Sequence, residues 1–312
     1  MAAIVFVPLV LMILSWWWVY VSLGYYSSNH PLSGRHGTTT TNNDPANAYS
    51  LTTSITATTS TTTTNNNNRD NNNYNIPIQV YILAGQSNMV GMGSITHLDK
   101  LIQYNGTGSA GSSPYQNEYR DTLWNGTNYK ERDDVYIVYQ THSGKLTVSR
   151  TAGYAGGSDH FGPEVLFGWT VAEQQKQLQG NRTMILLIKV AYGGRDLAID
   201  FRPPSAGIGN YSNVIDDPDH YGWEYRVMIN DTKHALNTID QYIPNFVQQY
   251  NGTYELKGFV WFQGWNDLLL WQKVHEYESN LAHLIRDIRT DLNHSDLPFG
   301  TFTNETIFSI VC

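Results

Sequence analysis

Apolar and polar positions fall into three regimes along the chain, and each predicts a different kind of structure. Residues 2–24 carry no charged side chain and include Trp16-Trp17-Trp18; a stretch of that length can cross a bilayer as a helix. Residues 27–75 invert the pattern, with Ser, Thr and Asn dominant and homopolymeric runs at 61–64, 65–68 and 71–73. Such a segment has almost nothing to bury and cannot offset the entropy of ordering its backbone, so an extended, solvated stem is expected there. From residue 76 the composition becomes globular, and short apolar runs alternate with amphipathic stretches. Residues 80–84, 135–139, 184–190 and 259–262 read as strands. The third is apolar except for Lys189, as expected of a strand covered on both faces. Residues 164–178 place Val165, Leu166, Trp169 and Ala172 at helical spacing behind Pro163, which suits a first helical turn. Residues 223–239 are helical by pattern, and 275–292 form a strongly amphipathic helix. Buried strands alternating with helices predict a three-layer α/β domain around a mostly parallel sheet.

The expected organisation is a signal anchor or signal peptide over 1–26, a stem over 27–75 and a catalytic-type domain over 76–312. Length and aromatic content favour an uncleaved anchor, whereas the small residues of 22–28 would suit a signal peptidase. Eight Asn-x-Ser/Thr sequons, at Asn105, Asn125, Asn181, Asn210, Asn230, Asn251, Asn293 and Asn304, point to the secretory pathway. A type II membrane protein or a secreted one, with its domain lumenal or extracellular, follows. A formal net charge of −8 with scattered basic residues argues against nucleic acid as a partner. The single cysteine, Cys312, excludes an intrachain disulfide. No His/Asp/Glu cluster has zinc-ligand spacing, so neither a metal nor another cofactor is expected.

Candidate chemistry sits where three of the expected strands end: Gly85-Gln86-Ser87-Asn88-Met89, Ala191-Tyr192-Gly193-Gly194-Arg195-Asp196-Leu197, and Phe262-Gln263-Gly264-Trp265-Asn266-Asp267. In a parallel sheet all three lie along one edge, where open α/β folds bind ligands. Acyl transfer by a serine needs an activated hydroxyl, donors aimed at the developing oxyanion, and a histidine oriented by a carboxylate. Ser87 can supply the hydroxyl. Its own N–H, the Gly194 N–H and the Asn266 amide can supply the donors.

These blocks, with Phe161-Gly162-Pro163-Glu164 and the run from Leu197 to Ser205, resemble the SGNH hydrolases over about residues 77–298. The likeness is to their sialic-acid-specific acetylesterase, or carbohydrate esterase family six, branch. The resemblance implies a flavodoxin-like fold and metal-free removal of O-acetyl groups from sugars. Ser87 would be the nucleophile, with Gly194 and Asn266 in the oxyanion hole and Gln263 shaping it; whether Gly193 or Gly194 donates stays open. Family members take the histidine and its carboxylate from a block after the last strand. Here residues 296–299 reach the expected start of that strand, and residues 300–312 contain no histidine. The expectation is a truncated product or an incorrect gene model, without the last strand and helix and with feeble or no turnover. A glycan-binding cell-surface glycoprotein on the same scaffold is the alternative, and a lipase-like hydrolase a weaker third.

Other residues have competing readings. Asp217-Pro218-Asp219-His220 repeats the Asp-x-x-His spacing of the missing block, but ahead of a helix and before the third block. His160 borders the expected pocket and suits substrate contact better than catalysis. Arg195 and Arg202 could bind a sugar carboxylate bidentately or form structural ion pairs with Asp196 and Asp200. Trp265 is the better candidate for stacking on a sugar ring, and Trp261 for the core.

Overall fold

Strand β1 (Ile78–Gly85) is buried along its whole length, and its alternating side chains feed two separate cores. Ile78, Val80, Ile82 and Ala84 join one apolar cluster, Tyr81 and Leu83 the other, as the two-residue period of a strand requires. The computed structural model describes residues 76–103, 115–179, 183–211, 218–301 and 309–311, all within one compact unit. The expected membrane segment, 2–24, and the stem, 27–75, lie outside the described residues. Among the described residues no helix is long and apolar enough to cross a membrane.

After β1 come α1 (Ser87–Val90), β2 (Gly93–Ser94), α2 (Ile95–Gln103), α3 (Tyr115–Leu123), β3 (Glu131–Tyr139), β4 (His142–Thr147) and β5 (His160–Phe161). Then follow α4 (Glu164–Gln179), β6 (Ile185–Ala191), α5 (Trp223–Asn237), α6 (Phe246–Tyr250), β7 (Tyr254–Phe262), α7 (Trp265–Leu268) and α8 (Trp271–Asp291). The last strands are β8 (Phe299–Thr301) and β9 (Ser309–Val311). Among the described residues seven strands form one sheet in the order β4-β3-β6-β1-β7-β8-β9. All pairings from β3 to β8 are parallel, and β4 and β9 run antiparallel at the two edges. Residues of α5, α6 and α8 cover one face, and residues of α2 and α4 the other. The three-layer α/β architecture expected from the pattern is therefore present; β8 pairs with β7 where the sequence predicts the last strand to be missing, and β9 forms the edge beyond it.

Register decides where the chemistry lies. Gly85 at the end of β1 pairs with Ala191 at the end of β6 and with Phe262 at the end of β7. Three strands thus terminate at one level, and the loops that follow them begin side by side.

Candidate active site

Gly85 has φ +150, and a Cβ there would collide with the Phe262 carbonyl. Only glycine permits β1 to stop this close to β7. The chain then turns: the Gln86 N–H donates to the Phe262 carbonyl at 3.1 Å, and the Tyr192 N–H donates to the Gly85 carbonyl at 3.0 Å. Ser87 follows on the short helix α1, half-buried, behind a fully buried Gln86. All three loops predicted to converge are hydrogen-bonded to one another. The Asn266 side-chain amide donates to the Gly194 carbonyl, and the Asn266 N–H donates to Gln86 Oε1 at 3.4 Å.

Gln263 Nε2 donates to the Arg195 carbonyl at 3.0 Å and to Asp267 Oδ2 at 2.6 Å, so both its N–H groups are engaged in joining the second and third loops. The main-chain carbonyl of Gln263 accepts from the Tyr277 hydroxyl at 2.8 Å. Asp267, 1% exposed, completes this seam by accepting from the backbone N–H groups of Leu197 at 2.9 Å and Ala198 at 3.1 Å. Burial pushes the Asp267 carboxyl up to about 6, against the opposing pull of the Gln263, Leu197 and Ala198 donors. Sequence reasoning placed Asp267 in the third block without giving it a task. An acidic residue after Asn266 offers no separate signal of burial.

What remains unpaired is as informative as what is paired. Among the described residues the Ser87 hydroxyl and the N–H groups of Ser87 and Gly194 have no hydrogen-bond partner. A side-chain amide carries two N–H groups, so the bond from Asn266 to Gly194 fixes that side chain and leaves one donor over. Gly194 has φ +72, and a Cβ built on it would lie 3.9 Å from Asn266 Nδ2. The hydroxyl and the three donors therefore stand on three loops that are hydrogen-bonded to one another.

The second loop is held from behind. Asp196 accepts from the Ile199 N–H at 2.6 Å and pairs with Lys273. Arg195, 43% exposed at its side chain, lies against Asp200 at 3.3 Å and Glu224 at 2.9 Å; burial raises both carboxyls above their ordinary range. Arg202 is buried, donating to the carbonyls of Gly207, Ala198 and Ala206 and to Glu276. With four of its five N–H groups engaged it is a structural cross-brace, and no pair of N–H groups is left for a bidentate grip on a sugar carboxylate. Trp261 is 1% exposed and belongs to the core, whereas Trp265 is 43% exposed at the start of α7.

No described histidine hydrogen-bonds to Ser87. His160 sits on β5, paired with Ser94 of β2, its Nδ1 buried without a partner among the described residues. His220 is exposed on a 3₁₀ turn, Pro218–His220. Asp217 lies outside the described residues. His283 on α8 is half-buried and bonded to the Ser205 hydroxyl at 2.7 Å. Among the described residues no group of three or more His, Cys, Asp or Glu could hold a metal ion.

A further buried pair went unassigned in the sequence. Lys189, the single charged residue of β6, ion-pairs with Glu164 at 2.7 Å, with side-chain exposures of 0% and 1%. Burial lowers the Lys189 pKa, and Glu164 opposes that shift.

Comparison with solved structures finds a protein from Arabidopsis thaliana at 19% identity and TM-score 0.43, covering 72% of this chain and 74% of that one. A carbohydrate acetylesterase from Xanthomonas citri aligns at 15% identity and TM-score 0.37, over 70% of this chain and 40% of its own. NanS aligns at 16% identity and TM-score 0.39, over 72% and 67%. No curated protein matches the chain. The family model described as carbohydrate esterase, sialic acid-specific acetylesterase, matches residues 77–306, which include all three loops of the site. The chain belongs to the sialic acid-specific acetylesterase family of carbohydrate esterases.

Proposed function

We propose that the domain is a serine O-acetylesterase acting on acetylated sugars, with Ser87 as nucleophile. The observation that supports this reading is that the loop bearing the unpaired Ser87 hydroxyl is hydrogen-bonded to the loops bearing Gly194 and Asn266, with the N–H groups of Ser87 and Gly194 and the second N–H of Asn266 unused. Attack of the Ser87 oxygen on an acetyl carbonyl would form a tetrahedral oxyanion facing those donors, and collapse would release the sugar hydroxyl and leave acetyl-Ser87. Donors preorganised in this way are commonly the largest single contribution to acyl transfer. Water would then attack the acetyl-enzyme through the same oxyanion. Trp265 would lie against the sugar ring, with Arg195 and His160 at the pocket margin.

A second reading is favoured by one observation: no described histidine reaches Ser87. A serine with oxyanion donors but no base keeps only part of the triad's acceleration, about 10³–10⁴ over water. The domain would then hold acetylated glycans and turn them over slowly. The N-terminal 26 residues would tether or export it, with the stem over 27–75 as spacer. Exposure of all five described sequon asparagines, Asn125, Asn210, Asn230, Asn251 and Asn293, supports a lumenal or extracellular domain. Acetate release from O-acetylated sialic acid and from p-nitrophenyl acetate, measured on the native chain and on Ser87→Ala, tests both readings. Release lost in the variant supports the esterase. Equal release from the two refutes Ser87 as nucleophile, and glycan binding without release favours the second reading.

A further inference from the structure

Lys189 occupies a position where β6 requires an apolar side chain. Odd-numbered residues of this strand face one core, and Ile185, Leu187 and Ala191 fill it. The Lys189 ammonium is enclosed among them and donates three hydrogen bonds: to the Val90 carbonyl at 2.9 Å, the Tyr154 carbonyl at 2.6 Å and Glu164 Oε2 at 2.7 Å. The Tyr139 ring also lies against it, 4.9 Å from centroid to Nζ. Glu164 is equally engaged, because its Oε1 accepts from the Gly162 N–H at 2.8 Å.

Each acceptor belongs to a different segment around the site. Val90 closes the turn that begins at Ser87, Tyr154 lies in the loop between β4 and β5, and Glu164 opens α4 behind β5. Around the ammonium these segments meet backbone to backbone. A Cβ on Gly91 would come within 2.5 Å of the Gly162 Cα, and the Gly156 N–H donates to the Gly91 carbonyl at 3.0 Å. A buried ion pair is poor insurance for stability, since an apolar pair of matched volume commonly serves as well. Its distinctive property is direction: three donors at fixed angles accept one arrangement of three carbonyl-type oxygens.

We propose that Lys189, held by Glu164, is the positioning residue of the Ser87 turn: its ammonium draws the Val90 carbonyl inward and so fixes where the Ser87 hydroxyl stands. Because this rests on the reading of Ser87 as nucleophile, the test has one readout that depends on hydrolysis and one that does not. The substitution is the pair Lys189→Met with Glu164→Gln in the full chain. It removes both charges and keeps an amide oxygen for the Gly162 N–H, so neither partner is stranded as a lone buried ion. Val171→Ala, in the same core, is the control for general loosening.

Amide exchange is followed at Met89, Val90 and Gly91, whose N–H groups close the turn on Gln86 and Ser87, and at β1. The double substitution is expected to speed exchange in the turn about tenfold, the factor given by loss of roughly one buried hydrogen bond, with β1 unchanged. The Val171→Ala control should leave the ratio of turn to β1 exchange as it was. Alongside, hydrolysis of p-nitrophenyl acetate is expected to lose about 10-fold to 100-fold in kcat, with KM within about twofold, as displacement of a reacting group by about 1 Å does. Unchanged exchange in the turn, or equal acceleration in the turn and β1, overturns the proposal. If the native chain and Ser87→Ala hydrolyse the ester equally, the nucleophile reading falls, and the exchange ratio alone decides whether Lys189 anchors the turn.

Discussion

Replacing Asp267 by alanine should separate two of the three loops. Its carboxylate is the shared acceptor for the N–H groups of Leu197 and Ala198 and for Gln263 Nε2, and its side chain is nearly inaccessible to water. Gln263 loses one of its two bonds and keeps the one to the Arg195 carbonyl, whereas the Leu197 and Ala198 N–H groups lose every acceptor they have. An unsatisfied buried donor costs about 1–3 kcal/mol, so the pair costs about 2–6 kcal/mol. A value near 3 kcal/mol is expected because the vacated volume admits water to part of the seam. Against a typical domain stability of about 5–15 kcal/mol, that is a large share. In urea denaturation, a slope of about 2 kcal/mol per molar turns it into a midpoint lowered by about 1.5 M. Below about pH 4, Asp267→Asn, which keeps an acceptor for the backbone donors and turns an amide toward Gln263, should lose about 1 kcal/mol. A midpoint for Asp267→Ala within about 0.3 M of the native chain would refute the seam as described.

Further outcomes follow from the same geometry. The Asp267 pKa of about 6 lies above the ordinary carboxylate value, so the native state holds this proton more tightly than the unfolded chain. The group's contribution is therefore full below about pH 4 and falls by about 3 kcal/mol in all as pH rises through about 6. Asp267→Asn should accordingly gain on the native chain between those pH values, and a constant difference in unfolding free energy would contradict the assignment. Gly85→Ala must place a methyl against the Phe262 carbonyl at a φ that L-residues avoid, and should cost about 3 kcal/mol or more in denaturant unfolding. On the proposed reading Asn266→Ala removes one oxyanion donor and should lower kcat for acetyl esters by about 10²–10³ with little change in KM. A larger effect on KM than on kcat would reassign Asn266 to ground-state binding.

The buried parallel strands were legible because both faces are covered: β1, β6 and β7 each carry an apolar run that stops at a glycine or a polar turn. β4 was not, because His142-Ser143-Gly144-Lys145-Leu146-Thr147 lies at the sheet edge with most of its residues accessible, and an edge strand need not alternate. β8 is three residues long and offers no period to read. At the site, Ser87, Gly194 and Asn266 could be brought together in advance because parallel register puts strand ends at one level, as Gly85, Ala191 and Phe262 show. The supports behind them could not. Asp267 resembles any acidic residue in a loop, and the acceptors of Lys189 are backbone carbonyls on Val90 and Tyr154, which leave no mark on residue identity. Lys189 itself was the one visible clue, a charge in a strand otherwise built for the core.

Acetylation of Ser87 itself tests the central claim most directly. The native chain is mixed with p-nitrophenyl acetate, quenched in acid after increasing times, digested, and the peptide carrying Ser87 is weighed. The account predicts that this peptide gains the mass of one acetyl group, that fragmentation places it on Ser87, and that Asn266→Ala slows its formation. Acetyl groups confined to lysines, or an identical pattern from Ser87→Ala, would contradict it.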